Sequence, residues 1–137
     1  MILVDSNVWS EALRPRPDQA VQAWARRVSD QLWLSTVVLG ELLSGVAAMP
    51  AGRKRTLLEA GYAELVDTYR DRIVPFDLPA AYAYAEVLTR QEAAGRNPGA
   101  ADTQIAATAI AGRMALATRN VKHFAGLGLE LIDPWET

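Results

Sequence analysis

The 137-residue chain contains no cysteine and a single histidine, His123. Those two shortages remove disulfide scaffolding, thiol nucleophiles and the usual His/Cys zinc sites together. Positive charge is not in excess either. The 14 Lys and Arg stand against 16 Asp and Glu for a formal charge of -2, so there is no overall basic field and any polyanion has to be held locally. No apolar run approaches the roughly 20 residues of a membrane span, and the first residues lack the basic segment, apolar stretch and cleavage site of a signal peptide. No membrane association and a cytoplasmic location are therefore expected. Repeats, low-complexity tracts and long linkers are also missing, so a single domain over residues 1–137 is expected.

Oxygen ligands remain, and they suit Mg²⁺ or Mn²⁺. The opening run MILVDSNVW leads an apolar strand into Asp5, LGELLSG carries Glu41, and AADTQIAATA carries Asp102. Carboxylates belong on solvated faces unless something compensates for their desolvation, and a shared divalent cation would do so for all three. If the three converge, two carboxylates about 4 Å apart repel by roughly 4 kcal/mol at an effective dielectric near 20. Each acid also has a plainer explanation. Asp5 fits a turn or helix cap, Glu41 a solvated helix edge, and Asp102 a first-turn acid stabilised by the helix dipole.

Hydrophobic periodicity places these acids in an alternation of strands and helices. Strands are expected at Ile2 to Val4, Leu32 to Leu34, Ile73 to Phe76, Ala115 to Thr118 and Leu129 to Ile132. Helices are expected from Asp18 to Arg27, from Ser35 or Thr36 toward Met49, from Arg53 to about Asp71, from Pro79 to about Ala94 and from Ala100 to Met114. The pattern predicts an α/β layered fold with a mostly parallel sheet of about five strands, whose sites form beyond the carboxyl ends of the strands. Asp5 lies in that position. Asn7, Thr118 and Asn120 supply neutral polar groups near two strand ends, Trp9 follows Asp5 closely enough to border a site, and His123 is a candidate general base or an incidental surface residue. Arg90, Arg96, Arg113, Arg119 and Lys122 flank the last two motifs, where they are candidates for holding phosphates or are ordinary solvated charge.

Taken in order, MILVDSNVW, STVVLGELLSG, AADTQIAATAIA and ALATRNVKHF resemble the PIN-domain nucleases, in particular the toxin ribonucleases of VapC or FitB type from bacterial toxin–antitoxin pairs. The resemblance covers nearly the whole chain and rests on four motifs in register. It implies a three-layer α/β/α fold, Mg²⁺- or Mn²⁺-dependent cleavage of RNA, homodimerisation and inhibition by a small antitoxin. Carried over by position, the family's acidic cluster falls on Asp5, Glu41 and Asp102, with Asn120 at the fourth acidic place. An amide there removes a negative charge and favours one ion over two. The hydroxyl position after the first strand resembles Ser6 or Asn7, and Thr118 matches the small polar residue before the fourth place. Two other classes compete on the residues alone. One is a protein-binding α/β module whose acids are caps and turns. The other is an aspartyl-nucleophile phosphatase, which wants a second Asp where Asn7 stands. A nucleotide-binding domain is disfavoured because no glycine-rich loop follows the first strand.

Overall fold

The computed structural model describes all 137 residues. Five short strands, β1 (Ile2–Val4), β2 (Leu32–Ser35), β3 (Ile73–Val74), β4 (Ala115–Ala117) and β5 (Leu131–Ile132), form an all-parallel sheet in the order β3-β2-β1-β4-β5. Six helices flank it in a three-layer arrangement: α1 (Ser6–Ala12), α2 (Gln19–Arg27), α3 (Thr36–Ala47), α4 (Arg53–Thr68), α5 (Leu78–Ala93) and α6 (Ala100–Ala111). Parallel strands covered on both faces have to be apolar on both sides, and all three residues of β1 are buried. Ile2 faces Leu32 on one side and Ala115 on the other, and Val4 pairs with Ala117. The chain leaves β1 toward β2 in one direction and later returns to β4 in the other. The gap between their carboxyl ends is therefore a topological switch point, where such sheets bind ligands.

Local chemistry starts the helices where the sequence expects them. Asp18 Oδ1 accepts from Ala20 N at 2.9 Å and Val21 N at 3.2 Å, and Ser35 Oγ accepts from Val38 N at 2.9 Å. Asp77 caps α5 through Ala80 N at 3.2 Å, with Pro79 in the first turn. Helix α6 is buried nearly all round, from Thr103 and Ile105 through Ala109, and its alanines let it pack closely on α5. No helix is long and apolar enough to cross a membrane.

The structure also corrects several expectations. Helix α1 begins directly at Ser6, in a stretch for which the sequence predicts no helix. Strand β3 stops at Val74 and β5 begins at Leu131, both shorter than expected. Helix α4 ends at Thr68 and gives way to a 3₁₀ turn at Arg70–Arg72, and α6 ends at Ala111. Arg113, with φ 54°, makes the reversal into β4.

Candidate active site

Asp5 continues β1 by one hydrogen bond, its N–H donating to Ala117 O at 2.9 Å, and then turns the chain into α1. Its side chain is fixed from several directions. Oδ1 accepts from Ser6 N at 2.8 Å, while Oδ2 accepts from Thr118 Oγ1 at 2.7 Å and from Asn7 Nδ2 at 3.4 Å. Thr118 is fully buried at the end of β4, and its hydroxyl oxygen in turn accepts from Asn120 N at 3.0 Å. Asn7 Oδ1 accepts from Arg119 N at 3.3 Å, so the segments after β1 and β4 are bound together at the switch point. The cap expected of Asp5 as its plain explanation is present, and so is the strand-end placement that favours a ligand.

These segments meet α3 and the start of α6 around an open cleft of about 570 Å³. Asp5, Ser6, Asn7, Ser10, Glu41, Asp102 and Asn120 form its polar lining, with Met49, Leu58 and Tyr62 among the apolar residues on its wall. Three carboxylates from residues 5, 41 and 102 therefore share one concavity. Burial differs among them. Asp5 is 4% exposed, the Asp102 side chain is 32% exposed, and Glu41 stands exposed at the rim. The expectation that all three acids lie within apolar packing thus holds for Asp5 alone. Glu41 has Ser44 and Gly45 beside it on α3, and such small neighbours leave its carboxylate open to water.

The electrostatics report the convergence. Desolvation pushes the Asp5 carboxyl above its ordinary value, partly offset by the Thr118 and Ser6 hydrogen bonds, and the Asp102 charge adds to the rise. Glu41 is also raised, first by desolvation and then by the charges of Asp5 and Asp102, with solvent at the rim screening these effects. No lysine or arginine pairs with any of the three. The ion pairs of the molecule are Arg14–Glu11, Arg55–Glu59 and Arg70–Asp67. A carboxylate set without a cationic side chain suits a hard divalent cation. The acids do not, however, stand close enough to make a ready-made three-residue ligand cage. Water molecules on the ion would have to complete its coordination, as Mg²⁺ commonly requires.

The basic candidates separate. Arg96 and Lys122 line a second, largely polar pocket that shares Asp102 with the cleft, and His123 lies there too, its Nδ1 3.3 Å from Asp102 Oδ2. Arg119 instead lays its guanidinium 4.6 Å from the Trp135 ring centroid. Arg90 is exposed on α5 and lines neither pocket. Arg113 precedes β4 and so lies at the amino ends of the strands, across the sheet from the acids, which corrects its assignment to the substrate side. Trp9 does not border the acid cleft. It is buried in a separate apolar cavity with Val8, Val21 and Trp24, its ring edge-on to Tyr69 with centroids 5.0 Å apart. One residue was missed. Gln91 is 3% exposed and lines the second pocket. It lies on the stripe Ala80, Ala83, Val87, Gln91 that α5 buries, and a polar residue in that register was the available signal.

The PIN domain family model matches residues 2–127. The chain belongs to the PIN-domain family. Among curated PIN-domain relatives, it is 41% identical over 138 residues to the VapC ribonuclease Y4jK of Sinorhizobium fredii, covering 99% of each chain. It is 36% identical over 137 residues to the toxin FitB of Neisseria gonorrhoeae, covering 98% of this chain and 99% of FitB. Among solved structures, FitAB bound to an IR36 DNA fragment aligns with a TM-score of 0.90 at 36% identity, over 98% of this PIN domain protein and 96% of that chain.

Proposed function

We propose that this PIN-domain protein is a metal-dependent endoribonuclease, the toxin of a toxin–antitoxin pair, cutting phosphodiester bonds of RNA. The observation that carries the reading is the meeting of Asp5, Glu41 and Asp102 in one cleft at the switch point, with no lysine or arginine to neutralise them. The ribonuclease and toxin names of its relatives give the chemical class.

In this reading Asp5, Asp102 and Glu41 hold one Mg²⁺ or Mn²⁺, directly or through its waters. When bound, the ion would lower the pKa of a coordinated water and polarise the scissile phosphate. The protein supplies orientation. Thr118 and Ser6 lock the Asp5 carboxylate so that it meets the ion without rearranging, and Asn7 steadies the same group. Asn120, at the cleft edge, contributes an amide where a fourth acid would add charge, which matches a single ion. The partners are RNA, a cognate antitoxin and a second copy of the chain, in the cytoplasm. An aspartyl-nucleophile phosphatase is disfavoured, because Asn7 spends its amide on Asp5 and offers no second carboxylate.

Calorimetric titration of Mn²⁺ together with RNA cleavage tests the assignment on Asp5→Asn and Asp102→Asn. Both variants are expected to lose metal binding and cleavage while remaining folded. Retention of both properties in both variants overturns the ligand assignment.

A further inference from the structure

The second pocket, about 330 Å³, is lined by Gln91, Arg96, Asn97, Pro98, Gly99, Asp102, Lys122 and His123, none of them hydrophobic. Three features aim at it. Helix α6 starts at its wall with Gly99 as the cap residue, so no side chain caps that end. The N–H groups of Ala100, Ala101 and Asp102 find no backbone acceptor there, and a free helix start of this kind attracts anions. Gln91 is 3% exposed and lines this pocket, and no side chain or backbone group of the protein hydrogen-bonds its amide. Its NH₂ and carbonyl are thus free to meet a ligand or water there. Finally, Arg96 and Lys122 bring two cations. Arg96 Nη1 donates to Ala125 O at 2.7 Å, which holds the guanidinium stem in place and leaves its other donors unspent.

One charge opposes an anion, the Asp102 carboxylate in the first turn of α6. Its Oδ2 is engaged by His123 Nδ1 at 3.3 Å, and the residue also lines the acid cleft. The two pockets thus meet at Asp102.

We infer that this second pocket is a subsite for a phosphodiester of the RNA strand neighbouring the one that is cut, held by Arg96, Lys122, the Gln91 amide and the first-turn N–H groups of α6. The inference rests on the ribonuclease reading for the identity of the strand, while the anion site itself is independent of it. It gives a chain with no net positive charge a local grip on substrate, and it sets the strand's register against the acids.

Two measurements test it separately. The first is NMR titration of the wild-type protein with inorganic phosphate, which involves no cleavage. Saturable shifts are expected at the Gln91 side-chain NH₂ and at the amides of Ala100, Ala101 and Asp102, and they are lost in Arg96→Gln/Lys122→Gln. Absence of these shifts, or their persistence in the double variant, overturns the subsite. Shifts elsewhere on the surface without these mark an adventitious ion only, and likewise overturn it. The second is steady-state cleavage of an RNA oligonucleotide. Gln91→Leu and each single cation variant are expected to raise KM about 3- to 10-fold with a smaller effect on kcat. Removing one cation should also reduce the log–log salt slope of RNA binding by about 0.7. A neutral methylphosphonate at a flanking linkage should penalise the wild type more than the double variant, and equal penalties overturn the RNA assignment. A wild type that shows the phosphate shifts but cuts no RNA refutes the ribonuclease reading and leaves the anion site standing.

Discussion

Replacing Thr118 by valine removes one hydroxyl and nearly nothing else, because the two side chains have closely similar shapes. That hydroxyl donates 2.7 Å to Asp5 Oδ2, with Thr118 0% and Asp5 4% exposed. A buried hydrogen bond to a charged group contributes about 1.5–3 kcal/mol, and the carboxylate has no lysine or arginine to fall back on. Thr118→Val should therefore weaken Mn²⁺ binding at neutral pH by about 10- to 100-fold, the range seen when the group orienting a metal ligand is lost. Metal-free stability supplies a second readout with a definite sign. Asp5 is raised above its ordinary value of 3.8, so between that value and its folded one the native state binds more protons than the unfolded chain. Stability from this group falls as pH rises through that window and levels off above it. Loss of the Thr118 hydrogen bond pushes Asp5 higher and widens the window. Urea unfolding in chelator should show Thr118→Val destabilised by about 1.5–3 kcal/mol at pH 7 and by progressively less as the pH falls and the Asp5 carboxyl takes up its proton. An equal loss at both pH values, with Mn²⁺ affinity unchanged, would refute the claim that the hydroxyl serves the ionised form.

Other perturbations follow from the same geometry. Asp5→Asn should abolish RNA cleavage while leaving the metal-free protein at least as stable at pH 7, since a desolvated charge facing two others is removed; a loss above about 3 kcal/mol would mean that the carboxylate is held mainly for the fold. Chelation should stop cleavage, and Mn²⁺ at 100 times its dissociation constant should restore it and raise unfolding free energy by about 2.7 kcal/mol, read by urea titration. Affinity for Mn²⁺ should fall as pH drops into the range where the raised Asp5 and Glu41 carboxyls take up protons, with protons released on binding, both measurable by calorimetry in buffers of different ionisation enthalpy. Trp9 Nε1 is buried without a partner, so Trp9→Phe should cost under about 1.5 kcal/mol while Trp9→Ala costs about 3–5 kcal/mol by chemical denaturation.

Strand and helix existence was legible wherever periodicity was long and flanked by capping chemistry. Asp18, Ser35 and Pro79 announced their helices, and the fully apolar Ile2–Val4 announced a central parallel strand. The opening of α1 was not legible, because SNVWSEA is only seven residues long, too short for a helical period to stand out even with Asp5 as a possible cap. The site was readable as a set of residue types and not as an environment. Apolar neighbours in sequence suggested that Glu41 is buried, yet neighbours in sequence occupy different faces of a helix, and its own face opens on the cleft. Arg113 failed for a related reason. It follows the motif around Asp102 by eleven positions, which along a helix amounts to travel from one end of the sheet to the other. Gln91 is a polar residue in a helix otherwise buried through small and apolar side chains, and only its register with Ala80, Ala83 and Val87 places it among the buried ones.

The bond between Thr118 and Asp5 joins positions 113 apart in the chain. The middle strand of the sheet, β1, is followed by β2, β3 and all six helices before its neighbour β4 is reached. A nascent chain can pair β1 with β2 early, but it cannot seat the Asp5 carboxylate until residue 118 has emerged. Seating of the Asp5 carboxylate thus has to wait for a long-range closure that is slow by its nature.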